Sequence, residues 1–148
     1  MKPQLLLLSG LLTAMSQLCL AQPSPDRLER IHSGQGKFPS VEAYLAFLLS
    51  KAADPKEDAR RVNTQIKFIL FRCNLTEREE PLIREKLSAI RAFRSNSLEP
   101  LIRGGAHHSA ISPVIAESDR IANAGALEIM RRIDPETFAF LRRLATTP

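Results

Sequence analysis

The residues of this 148-residue chain best suited to chemistry lie in one short stretch, His107-His108-Ser109, with Glu117 and Asp119 downstream. Two imidazoles and two carboxylates are raw material for acid–base catalysis or for a metal site. The spacing argues against both. Adjacent histidines in a helix or strand point to different sides, so they grip one ion only where a loop bends them together. The carboxylates would have to fold back to join them, and neither His-x-x-x-His nor Cys-x-x-Cys occurs. A solvated loop after Gly104-Gly105 accounts for the pair more simply. The catalytic alternative is a small exported enzyme whose site is assembled around His107 and His108. Nucleophilic hydrolysis would call for Gly-x-Ser-x-Gly, which is absent, and Gly34-x-Gly36 lacks the third glycine and the preceding strand of a nucleotide loop. No catalytic residue, metal ligand or cofactor is assigned.

Arginine carries the binding chemistry. Arg60-Arg61, Arg131-Arg132 and Arg142-Arg143 form three pairs, and the planar guanidinium fork suits carboxylates and phosphates. Converged, the pairs would make a patch for an acidic protein or an anionic surface. Apart, they are three solvated helix faces. The formal charge of the whole chain is +5, falling to +4 once Lys2 is removed with the export signal described below. So small an excess, on an exported protein, excludes nucleic acid as the expected partner.

The amino terminus reads as that export signal. Lys2 precedes an apolar run from Leu5 to Leu20, which closes on Cys19-Leu20-Ala21 with small side chains where a signal peptidase needs them. The run is shorter than a spanning helix and broken by Ser9, Gly10, Thr13, Ser16 and Gln17. The expected organisation is a signal peptide over 1–21 and one helical domain over 22–148. That domain would be periplasmic or extracellular, with no membrane span. Cleavage leaves Cys73 alone, so no internal disulfide is possible. Its place four residues after Ile69 on an apolar stripe predicts a buried, inert thiol, with an intermolecular disulfide as the alternative. Asn74-Leu75-Thr76 is a formal glycosylation sequon, relevant only in a host that glycosylates.

The elements that must position these residues are helices. Strand formers are scarce, and helix-start grammar recurs. Ser24-Pro25-Asp26 opens a short helix that Gly34 and Gly36 end. Ser40 caps a segment whose Val41, Tyr44, Leu45, Phe47, Leu48 and Leu49 are apolar nearly all round, which predicts burial on most sides. Asp54-Pro55 predicts the next start, followed by the stripe Ala59, Val62, Ile66, Ile69, Leu70 and Cys73. Thr76 and Glu79 form a capping box ahead of Leu82, Ile83, Leu87, Ile90 and Phe93. Arg91 and Arg94 stand at the negative end of that helix dipole, and Pro81 is expected to remove one hydrogen bond and bend the helix slightly. A short helix around Leu98 to Arg103 stops at Gly104-Gly105, Ala106 to Ile111 reads as loop, and Ser112-Pro113 caps a longer helix to about Ile133. Within it Ala122, Ala124, Gly125 and Ala126 form a small-residue patch for close approach. Asp134-Pro135-Glu136 starts the last helix.

Two pentapeptides are identical, Glu80-Pro81-Leu82-Ile83-Arg84 and Glu99-Pro100-Leu101-Ile102-Arg103. Their offset is too short for a stacked helix-pair repeat, so the same helix-start grammar is used twice. Leu75-Thr76-Glu77-Arg78-Glu79, leading into a charged amphipathic helix, resembles the Leu-Thr-x-x-Gln segment of periplasmic helical proteins of the Spy and CpxP kind, with glutamate here in place of glutamine. The resemblance covers about twenty residues and implies an all-helical fold, a chaperone-like or stress-sensing role and no catalysis. The fold expected is all-α, a compact bundle of five or six helices. The function expected is binding, through the basic faces or an apolar groove between helices. The segments ending at Cys73 and starting at Thr76 should pack as an antiparallel pair.

Overall fold

The computed structural model describes residues 37–147. The signal segment, the helix expected after Ser24 and the Gly34-Gly36 stop lie outside the described residues. The fold is all-α, with no strand among the described residues, and Phe38–Thr147 pack as one unit. Among the described residues six α-helices follow in order: α1 (Val41–Ala52), α2 (Ala59–Arg72), α3 (Glu80–Phe93), α4 (Glu99–Arg103), α5 (His108–Met130) and α6 (Pro135–Thr146).

Helix α1 is the centre. Ser40 caps it, its hydroxyl accepting from Ala43 N–H at 3.1 Å, and seven of its residues are buried: Val41, Tyr44, Leu45, Ala46, Leu48, Leu49 and Ala52. Side chains hidden over most of the circumference, with Lys51 alone exposed, require neighbours on most sides. α5 makes the broadest contact with α1, and α2, α3 and α6 also touch it. The approach of α5 depends on Gly125, where a Cβ would lie 3.2 Å from Lys86 Cβ and 3.3 Å from Leu49 Cδ1. Ala122 and Ala126 are buried beside it, whereas Ala124 faces outward. Phe38 closes the base of α1, stacking on Phe47 at 5.2 Å and donating its N–H to Ala145 O at 2.9 Å.

Four local expectations are corrected. Asp54 does not cap α2: its carboxylate accepts from Lys56 N–H at 3.0 Å, a local turn that competes with a helix start. Asp58 takes that task, accepting from Arg61 N–H at 2.8 Å. Pro81 is not past the first turn: a 3-10 turn over Glu77–Glu79 precedes α3 and leaves Pro81 at its start, where a missing N–H costs little. The segment from 80 to 103 is continuous, since a π turn over Arg94–Leu98 joins α3 to α4. Pro100 gives the reason: its ring would meet the carbonyl four residues back, so the turn widens and Glu99 N–H bonds Arg94 O. Finally, α5 begins at His108 rather than after Ser112, and Pro113 lies inside it. The carbonyl that Pro113 leaves without its N–H belongs to the exposed Ser109, where water can satisfy it.

The corners follow the residues that make them. Asn74 at φ 51° and Gly105 at φ 66° adopt the left-handed conformation that ends a helix. Leu75 N–H then bonds Leu70 O at 2.9 Å, and Ala106 N–H bonds Leu101 O at 3.0 Å.

Candidate functional site

Helices α2 and α3 run antiparallel, as two cross-links record. Arg84, early in α3, donates to Asn63 Oδ1 at 2.9 Å. Arg91, two turns later, donates to the carbonyls of Pro55 and Glu57, before α2 begins, at 3.3 and 3.2 Å. Between the helices lies a groove of about 270 Å³ lined by Ala59, Val62, Asn63, Ile66, Arg84, Leu87, Ser88 and Arg91. Its floor is the edge of the core, Val62, Ile66 and Leu87; its rim is polar and, in formal charge, basic. The two guanidinium groups differ. Arg84 is neutralised by Glu80 at 2.6 Å, whereas Arg91 meets only neutral carbonyls among the described residues. Arg91 therefore brings a positive charge without a carboxylate partner to the rim, above side chains that are themselves nearly closed to solvent.

Arg94 is a different kind of residue. Its Nε donates to Ser118 Oγ at 2.8 Å and its Nη1 to Ser50 O at 2.6 Å. Ser50 is in the last turn of α1, where carbonyls lack intrahelical partners, and Ser118 is the buried polar residue of α5. Burial pulls the Arg94 guanidinium below its ordinary pKa, with Asp119 and Asp54 opposing. Arg94 thus ties three helices together. Reading Arg91 and Arg94 only as charges at a helix end misses these lateral reaches, because the sequence does not show which neighbours stand beside α3. A usable sign was present nonetheless: Arg84, Ser88 and Arg91 recur at helical spacing next to the buried stripe of Ile83, Leu87 and Ile90.

The histidine–carboxylate site does not assemble. His107 is the N-cap of α5, its Nδ1 accepting from Ser109 N–H at 3.3 Å, and His108 is exposed in the first turn. Glu117 and Asp119 lie further along the same rigid helix. At about 1.5 Å per residue, His108 and Glu117 are roughly 13 Å apart along the axis. Glu117 is engaged with Arg120 at 2.6 Å, which holds its carboxyl below the usual range. Among the described residues no three His, Cys, Asp or Glu side chains come together as a metal site.

The arginine pairs are spread over the unit. Arg60 and Arg61 are exposed at the start of α2, with Arg61 on Glu57 at 3.2 Å. Arg131 and Arg132 follow α5, and Arg142 and Arg143 are exposed on α6. Asn74 Nδ2 lies 3.4 Å from Asp134 Oδ2, so the corner after α2 sits beside the corner between α5 and α6. Arg60 and Arg61 are then a full helix away, roughly 20 Å from that corner. They do not join Arg131 and Arg132 in one patch.

Cys73 is fully buried, and burial pushes its thiol up to about 12, with Arg72 opposing. The Thr76–Glu79 capping box forms, Thr76 N–H and hydroxyl donating to Glu79 Oε2 at 2.9 and 2.6 Å. No protein-family model, curated protein or solved structure matches this chain.

Proposed function

We propose that this chain is an exported, non-catalytic helical protein that works by binding, with another protein or an anionic partner as its target and a chaperone-like or stress-related role. The observation that supports the reading is the α2–α3 groove, a concave strip over the buried edge of the core, rimmed by Arg84 and by an Arg91 guanidinium that meets no carboxylate among the described residues. Concave sites with an apolar floor and a few placed polar groups are where small ligands and partner side chains are held. The roughly 13 Å between His108 and Glu117 weighs against the alternative, an exported enzyme built on the His107-His108 segment. The resemblance of the Leu75–Glu79 segment to Spy- and CpxP-like proteins agrees with a binding role and adds no chemistry.

The test is retention of a partner by the immobilised chain from the exported fraction of its host. The expected result is a defined species, released by salt as screened ionic contacts require, and lost in Ser88→Leu, which fills the groove. Failure to retain anything, together with hydrolytic turnover abolished by His107→Ala, would move the assignment to the enzyme.

A further inference from the structure

Helix α5 is longer than the face that covers it. Ile115, Ala122 and Ile129 stand seven residues apart, on one line along the helix. Ala122 and Ile129 are closed at 1% and 0%, whereas Ile115 is 44% exposed. The cover over the closed part is α1, whose last turn is tied through Arg94 to Ser118. Beyond Ser118 the helix runs on to His108, about 15 Å further, and no residue of that stretch is buried. Ile111 and Val114 are half-buried there. Beside them runs an open stripe of His108, Ser112, Ile115 and Asp119, at steps of four, three and four residues. Its two ends differ in charge. Asp119 and Asp54 both act on the one guanidinium of Arg94, and Glu117 is matched by Arg120, so the inner end carries more acid than base. The outer end carries His107 and His108, with Arg103 matched by Glu99.

We infer that two copies of this chain pair through this stripe of α5, antiparallel about a two-fold axis beside Pro113 and Val114, each Ile115 seated on the partner's Ser112 and each His108 on the partner's Asp119. The four positions dictate that register. Residues 108 and 119 are centred on the same point of the helix as 112 and 115, so one axis satisfies both pairs, and every contact occurs twice. Isoleucine over serine lets the two helices close to the packing distance of about 8–10 Å. A parallel pairing would set Ile115 against Ile115 and Asp119 against Asp119, crowding one level and repelling at the other. The projecting hairpin, residues 99–117, falls short of the roughly 20–30 residues a side of a standard interface, so the dimer belongs to the weak, reversible class. The stripe shares no residue with the α2–α3 groove, and the inference stands apart from the reading of that groove.

The experiment is sedimentation velocity of the full chain from about 1 µM to about 1 mM, where a concentration-dependent passage from monomer to dimer is expected. The apolar run from Leu5 to Leu20 is common to every variant, so differences between variants report on α5. Ile115→Asp should weaken the dimer at least a hundredfold while leaving the helical spectrum unchanged, because the side chain is open to solvent in the single copy. His108→Asp sets like charges against each other at both ends of the contact and should weaken it about tenfold; adding Asp119→Lys to that variant should restore the parent dimer. In Ser112→Cys a short bismaleimide should join the two copies, the native thiol of Cys73 being buried. A chain that stays monomeric at about 1 mM overturns the inference, even if a different protein is retained on α5. So does a dimer that Ile115→Asp leaves intact, one that the double charge variant fails to restore, or one that Ser112→Cys does not cross-link.

Discussion

Glu80–Arg84 and Glu99–Arg103 are the same five residues in two settings. Both are helical, both carry proline in the first turn, and both form the glutamate–arginine pair one turn apart, at 2.6 and 3.6 Å. Their isoleucines part company: Ile83 is completely buried, whereas Ile102 is 57% exposed. Leu82 packs against the core and Leu101 is not among the side chains that do. Backbone conformation followed the five residues; burial followed the neighbours. The first copy lies across from α2 and beside α1 and α5, while the second sits past a π turn and packs on that turn and on α5. From Glu99 to Glu117 no residue is buried, so this hairpin projects from the unit that the first copy helps to build.

The largest effect that should separate the copies is cavity formation. Ile83→Ala should cost about 2–5 kcal/mol, and Ile102→Ala should stay within about 0.5 kcal/mol of the parent. Urea melts decide it, and equal losses would mean that the hairpin is packed as the core is. Gly125→Ala comes next and tests the α1–α5 approach against which the first copy is held. Alanine gains about 1 kcal/mol of helix propensity, but its methyl would press on Leu49 and on Lys86 Cβ. Neither can retreat easily, one being buried and the other fixed to the backbone, so a net loss of about 1 kcal/mol is expected. A gain in melting temperature would show the helices to be further apart.

Thr76→Ala removes the cap ahead of the first copy and should cost about 1 kcal/mol; the second copy has no side-chain cap to lose. The same substitution should alter the acid response. The Thr76 hydroxyl is the main cause holding the Glu79 carboxyl below its ordinary value. A depressed pKa contributes stability above the unfolded value and loses it as pH falls through the folded one. Thr76→Ala should therefore flatten the decline of the urea midpoint below about pH 4.5; an unchanged decline would mean that the box is open in solution. The smallest effect should be shared by both copies. Arg84→Gln and Arg103→Gln break exposed pairs one turn apart, and each should cost no more than about 0.5 kcal/mol. A much larger loss in Arg84→Gln would mark the groove rim as structural.

Legibility followed the range of the interaction. The capping box at Thr76, the stop at Gly104-Gly105, the largely buried circumference of α1 and the buried Cys73 could all be read, because each depends on residues within a few positions or on a helical stripe. The cap at Asp54 misled because aspartate serves a turn as readily as a helix start, and Asp58 stood four residues on with the same ability. Pro113 misled because proline in a first turn and proline one turn further in look alike until the helix start is known. The groove was named only as an apolar groove between helices. Its residues escaped because two stripes on different helices become one site only once their register is set.

By itself, the sequence determined the helical class, most helix ends, the antiparallel return from α2 to α3 and the small-residue face of α5, since backbone hydrogen bonding and side-chain periodicity are local. The tertiary structure decided which helix each face meets. It put α1 against α5, kept Arg60 and Arg61 far from Arg131 and Arg132, stretched His108 and Glu117 along one rigid rod, and turned Arg94 into a tie between helices. Those outcomes depend on contacts between residues tens of positions apart, and a single chain read in order carries no measure of such distances. The two identical pentapeptides, one in the core and one in water, are the plainest case.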